Sequence, residues 1–136
     1  MWIFTKYGFV SVACASTQDG KIDENTVMLR ARSRQHLVNL KERFPGTELG
    51  KAEILVSAGT DYEFRVIVAK VAWASILSEL AMEQTWSNFK NEASRFAAQK
   101  KMAHGYVHAL HDIWGIMRRF GVHEEIPEPN RPWTSH

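Results

Sequence analysis

The stretch YEFRVIVA, residues 62–69, limits the fold more than any other part of the chain. Tyr62, Phe64, Val66 and Val68 alternate with Glu63, Arg65 and Ile67. A period of two sends alternate side chains to opposite faces of an extended strand, so this segment requires a sheet with one apolar face and one more polar face. TVMLRAR, residues 26–32, repeats the pattern, with Val27, Leu29 and Ala31 against Met28, Arg30 and Arg32. Residues 2–14 are rich in β-branched and aromatic side chains and read as one strand with a bulge or bend at Gly8. The turn signal Asp19-Gly20 joins it to the 26–32 strand as a hairpin. AEILVS adds a short strand, followed by the loop SAGTD.

Helical spacing fills the rest. Leu37, Leu40 and Phe44 recur behind Ser33 as N-cap, and Pro45-Gly46 stops that helix. Trp73, Ile76, Leu77 and Leu80 form a second apolar stripe. A third helix is expected around WSNFKNEASRF, capped by Thr85 or Ser87, and a last one from about Lys100 to Phe120, ended by Gly121. The expected order is ββαββααα. That is an α+β two-layer sandwich of about four mainly antiparallel strands with the helices on one face. Residues 1–121 are expected to form a single compact domain, and residues 122–136, with three prolines, a tail in which Trp133 either folds back or anchors a partner.

Composition excludes several classes. In 136 residues there is one cysteine, Cys14, so no intramolecular disulfide can form, and its apolar surroundings favour an inert thiol. No run of about 18 apolar residues is present, and Lys6 interrupts the apolar N-terminus, so neither a membrane span nor a signal peptide is expected and the chain reads as cytoplasmic. A net charge of +2 does not suit nucleic-acid binding by bulk field alone, although protonation of six histidines would raise it. There is no phosphate-binding glycine loop and no nucleophile elbow, and no cofactor is expected. Asp61 with Arg65, and His108 with Asp112, are the pairs that could move a proton; Asp61 reads more simply as a cap on the SAGTD turn. The chain is therefore read as non-enzymatic, with a hydrolase or transferase centred on Asp61 and His108 as the competing class.

Two cationic surfaces remain. Around the last helix Val107, Leu110, Trp114 and Met117 fall together as a core stripe. His104, His108 and His111 fall on a neighbouring arc with Lys100, Lys101, Arg118 and Arg119. Three imidazoles in a row on one straight helix make poor tetrahedral ligands, so a metal is not expected. The alternatives are a wetted flank without function and a basic ridge for phosphate or carboxylate partners that strengthens below about pH 6.5. On the strands, Arg30, Arg32 and Arg65 occupy the face away from the core. That surface can serve single-stranded nucleic acid, or can be a plain sheet face with cross-strand Arg–Glu pairs such as one to Glu63. Trp2, Phe4, Tyr7 and Phe9 are candidate stacking rings, but Gly8 blurs which face each one takes.

MWIFTKYGFVSV, VMLRARSRQHLVNL, GTDYEFRVIV, WSNFKNE and YVHALHDIW, in that order, resemble a family of small bacterial and phage proteins of unknown function. The likeness covers roughly residues 1–118 and touches Trp2, Gly8, Phe9, Ser11, Arg30, Arg32, Thr60, Asp61, Tyr62, Arg65, Asn88, Phe89, Lys90, Tyr106 and Trp114. It implies no reaction. By analogy with relatives on phages and mobile elements, it implies a counter-defence binding role, such as inhibition of a CRISPR-type nucleoprotein complex. The reading of the whole is a binding protein that meets a protein or nucleoprotein partner through Lys101, His104, His108, His111, Arg118, Arg30, Arg32, Arg65 and Asp61. A single-stranded nucleic-acid module using the arginine face of the sheet is the alternative. Exposed aromatics near the edge strand also allow a homodimer.

Overall fold

The computed structural model describes residues 1–123. The chain divides into two compact units, Met1–Met102 and Ala103–His136. The first unit contains β1 (Trp2–Thr5), β2 (Gly8–Ser16), β3 (Ile22–Ala31), α1 (Arg34–Arg43), α2 (Glu48–Lys51), β4 (Leu55–Val56), β5 (Phe64–Ala69), α3 (Lys70–Met82) and α4 (Phe89–Gln99). The described part of the second is α5 (Gly105–His123). The fold is α+β, with one antiparallel five-stranded sheet in the order β1-β2-β3-β5-β4. The tail carrying Trp133 lies outside the described residues.

The fifth strand comes from the segment read as one continuous strand over 2–14. The chain turns at Lys6 and Tyr7 and pairs Phe4 with Phe9 and Thr5 with Gly8. The Thr5 hydroxyl closes this turn, donating to the Gly8 carbonyl at 3.1 Å and accepting from the Tyr7 N–H at 3.1 Å. Gly8 is therefore the exit of a tight turn and not a mid-strand bulge; the register irregularity falls later, between Cys14 and Ala15. Its φ of +145° is one that a side chain rarely adopts, and a Cβ there would sit 2.2 Å from Cγ of His36. His36 uses the space a side chain would fill: its Nδ1 accepts the Phe9 N–H at 3.2 Å, and burial pushes its pKa below the usual imidazole value.

The expected hairpin of β2 and β3 forms, and β5 adds on the other side of β3. One sheet face carries Val10, Val12, Val27, Leu29, Ala31, Val66 and Val68, all buried. These pack with Leu37 and Leu40 of α1, Phe44, Leu49 of α2, and Trp73, Ile76 and Leu80 of α3 in one apolar cluster. The stripes predicted for α1 and α3 are thus the ones that face the core. Ser33 stands at the N-cap of α1, as its position suggested, but its side chain caps nothing. Two other caps went unread: Thr47 accepts the Gly50 N–H at the start of α2, and Asn88, rather than Thr85 or Ser87, accepts the Asn91 N–H at the start of α4.

At the β1–β2 turn the buried Tyr7 hydroxyl donates to both oxygens of Glu83 at 3.0 Å, and Arg43 Nε donates to Glu83 Oε2 at 2.9 Å. Burial first, and then the carboxylate of Glu83, raise the Tyr7 phenol to about 12. Beyond the same turn, Lys6 reaches Glu92 of α4 at 3.1 Å, and Arg95 holds the Glu92 carboxyl down at about 2 with help from Lys6. The turn is therefore fixed by two polar networks from three helices, which is why a segment without a strong turn signal reverses sharply.

Candidate nucleic-acid interface

Antiparallel partners that stand directly opposite share a face. Trp2 pairs with Ser11, Ser11 with Arg30, Arg30 with Arg65, and Arg65 with Leu55. One row of side chains thus crosses all five strands on the face away from the apolar cluster. The neighbouring pair Phe4 and Phe9 lies on the same face. Strand spacing sets the span from the strand of Phe9 to that of Arg65 at about 10 Å.

The row has an aromatic end and a cationic end. Phe4 and Phe9 stack with centroids 4.6 Å apart, and Trp2 meets the edge of Phe9 at 6.0 Å. Trp2 is 71% exposed. The hairpin settles the faces that sequence left blurred: Trp2, Phe4 and Phe9 belong to the arginine face, whereas Tyr7 is buried on the other side. At the cationic end Arg30 donates to Ser11 Oγ at 3.0 Å, and Arg65 donates to the Tyr62 carbonyl at 3.1 Å and reaches Thr60 Oγ1 at 3.5 Å. The guanidinium carbons of Arg30 and Arg32 lie 4.9 and 4.4 Å from the centroid of the Tyr62 ring. Arg32 Nη2 contacts both carboxylate oxygens of Asp61, at 3.0 and 3.1 Å, while its Nε donates to Oδ1 at 3.2 Å.

Tyr62 corrects the alternation that seemed plainest. It was expected on the face of Phe64 and Val66, away from the arginines. β5 begins only at Phe64, so the two-residue period does not extend back into the loop, and the ring swings across to the guanidiniums. Asp61 departs from its expected role as well. It pairs with Arg32 rather than Arg65, and the SAGTD loop is closed by Thr60, whose hydroxyl donates to the Ser57 carbonyl at 2.7 Å. The anticipated Arg–Glu pair across the strands is absent among the described residues. The residue directly opposite Arg30 is Arg65, and among the described residues no carboxylate forms a salt bridge with either. Each also has a buried Nε–H without a hydrogen-bond acceptor.

The second set of predicted site residues does not form one continuous ridge. α5 begins at Gly105, five residues later than expected, and runs through Gly121 to His123. Lys100 closes α4 and reaches Glu42 at 3.3 Å, while Lys101 has a left-handed φ of 53°, so neither extends α5. Along α5, His104 and His108 meet edge to face at 6.5 Å and His111 stacks on Trp114 at 5.8 Å. Arg118 lies 5.8 Å over the same Trp114 ring. All four cationic positions are exposed. Of the expected core stripe Leu110 is buried and Val107 half-buried, but Trp114 is 50% and Met117 58% exposed. The apolar angle was correctly placed at its N-terminal half only. Among the described residues no three His, Cys, Asp or Glu side chains converge as a metal site would require, and no helix is long and apolar enough to cross a membrane.

No family model, curated protein or solved structure matches the chain. The expected likeness to small bacterial and phage proteins is not supported by these comparisons, and the reading of this surface rests on its own chemistry.

Proposed function

We propose that the protein is a non-enzymatic binding module and that the Trp2–Arg65 face of its sheet takes single-stranded nucleic acid. One observation carries this reading: Arg30 and Arg65 stand directly opposite each other, and among the described residues no carboxylate pairs with either. Like charges at opposed sheet positions destabilise the pair. Each buried Nε–H without an acceptor adds a further cost. An anionic ligand at the guanidinium groups would relieve the like-charge penalty. The rings of Trp2, Phe4 and Phe9 favour nucleic acid over a purely acidic partner, because base stacking on aromatic side chains and phosphate neutralisation are the two halves of single-strand recognition.

The test is fluorescence anisotropy with labelled single-stranded RNA and DNA of mixed sequence at low salt. Binding should weaken with salt with a log–log slope of about −2, the value for three guanidinium–phosphate contacts on a single strand. Arg30→Gln with Arg65→Gln should weaken binding about tenfold or more while the fold stays intact, since each charge-assisted contact is worth on the order of 1–3 kcal/mol. No binding at roughly 10 μM protein in low salt overturns the proposal, because even non-specific complexes fall near that range.

A second reading attaches to α5, where exposed Trp114 lies between His111 and Arg118. An exposed aromatic ring between an imidazole and a guanidinium suits an anionic protein partner. Charge reversal at His104, His108 and His111 together should then abolish capture without changing the melting temperature; unchanged capture removes the idea. The defence-related role suggested by analogy is a special case of either reading.

A further inference from the structure

We infer that Asp61 occupies the phosphate seat of Arg32 in the free protein, and that a backbone phosphate of a bound single strand takes its place. This rests on the nucleic-acid reading of the same face and assigns its first exchange step. Arg32 presents Nε and Nη2 side by side to the Asp61 carboxylate, with three contacts between 3.0 and 3.2 Å. That two-pronged edge is the geometry in which a guanidinium also takes a phosphate. The Tyr62 ring lies 4.4 Å from the guanidinium carbon and supports it whichever anion is present. Arg30 faces the same ring at 4.9 Å, so an anion at the Arg32 edge also lies near a second guanidinium that pairs with no carboxylate among the described residues.

The contact is built to exchange. The Arg32 and Asp61 side chains are 54% and 71% exposed. An exposed ion pair of this kind contributes little to stability and is open to competition from solvent anions. Asp61 sits in the loop between β4 and β5, outside regular structure, where a carboxylate can swing away without breaking the sheet ladder. A polyanion that bridges Arg32, Arg30 and Arg65 gains three cationic contacts for one carboxylate displaced. A single small anion meets one seat already filled. Asp61 thereby sets a threshold: it disfavours isolated phosphates and weak non-specific strands, and yields to a ligand that engages the whole row.

The experiment compares Asp61→Asn with the unaltered protein for a labelled single-stranded oligonucleotide across a salt series, with Arg32→Ala and the Asp61→Asn/Arg32→Ala double variant alongside. Asparagine keeps the size of the side chain and removes the competing charge. Tighter binding by Asp61→Asn of about five- to tenfold at low salt, the scale of one solvent-exposed charge contact, supports the exchange. The gain should vanish in the double variant. If the unaltered protein binds and Asp61→Asn binds equally or more weakly, the exchange is wrong while the nucleic-acid reading stands. If the gain persists without Arg32, the seat is wrongly placed. If the unaltered protein does not bind, the nucleic-acid reading falls and the exchange with it, whatever Asp61→Asn does.

Discussion

The two faces of one sheet, separated by a single step along each strand, follow opposite rules. On β3, Leu29 and Ala31 are fully buried and meet Val66, Val68 and the helices. Arg30, between them, looks the other way at Ser11, Arg65 and Tyr62. The first face is closed: its side chains are apolar, and their burial is the main source of stability. The second is left incomplete, with like charges opposed and donors unfilled. A sheet face that only had to remain in water would carry paired charges of both signs. The contrast is between a face whose packing holds the sheet together and a face whose arginines are held mainly by Ser11, Tyr62 and Thr60.

That contrast can be broken or sharpened by substitution. The largest effect belongs to the closed face. Leu29→Ala should lower unfolding free energy by about 3 kcal/mol, since a fully buried leucine leaves a cavity in a packed core. Urea denaturation measures it; a loss below about 1 kcal/mol would mean that the face is not tightly packed. Next comes Gly8→Ala, which places a Cβ against His36 at a φ of +145°. A loss of roughly 2 kcal/mol is expected from strain of this kind, and a variant as stable as the parent would show that the turn can relax.

The third effect is pH-dependent. The folded pKa of His36 is depressed because burial disfavours its charged form, and its Nδ1 must stay unprotonated to accept from Phe9. As pH falls through 6.5 the unfolded chain takes up the proton first. Stability is therefore full above that value and is lost as pH drops towards the folded pKa. Denaturation midpoints at about pH 7.5 and 5.5 should differ in that direction. His36→Gln, although less stable overall, should show a shallower fall, and an unaltered fall assigns the effect to other histidines. The smallest stability change is the most telling. Arg30→Gln should leave the unfolding free energy within about 0.5 kcal/mol of the parent, or raise it slightly by relieving the Arg65 repulsion. A loss above about 2 kcal/mol would make Arg30 a structural residue and return the second face to the fold.

Sequence periodicity read best where the chain is regular and flanked by its own core. The faces of β3, the burial of Leu37, Leu40 and Phe44, and the stripe of α3 all follow from local spacing. It failed where distant residues decide. The reversal at Lys6 and Tyr7 lacks Gly-Asn or Pro signals and is held by His36, Glu83 and Glu92 from three different helices. The Tyr62 ring was assigned the wrong face because parity has no meaning once the strand ends. Arg30, Arg32, Arg65 and Asp61 were all singled out from the sequence and do come together. Their partners were misjudged, since an opposed arginine pair requires knowing that β3 and β5 are neighbours in register. The histidines of α5 are exposed as expected, yet Lys101 is lost from their row because a left-handed residue separates α4 from α5. Asn88 was identified only as part of a motif, although its type and position before an apolar helix were a sufficient N-cap signal.

The opposed arginines also guard the assembly of the sheet. Sliding β3 by one residue against its neighbours would drive a guanidinium into the space that Leu29 and Ala31 fill, and the cost of desolvating it forbids that misalignment. The arginines thus act as a proofreading device for strand register, and a variant stripped of them is expected to keep the parent's stability while reaching its native pairing less faithfully.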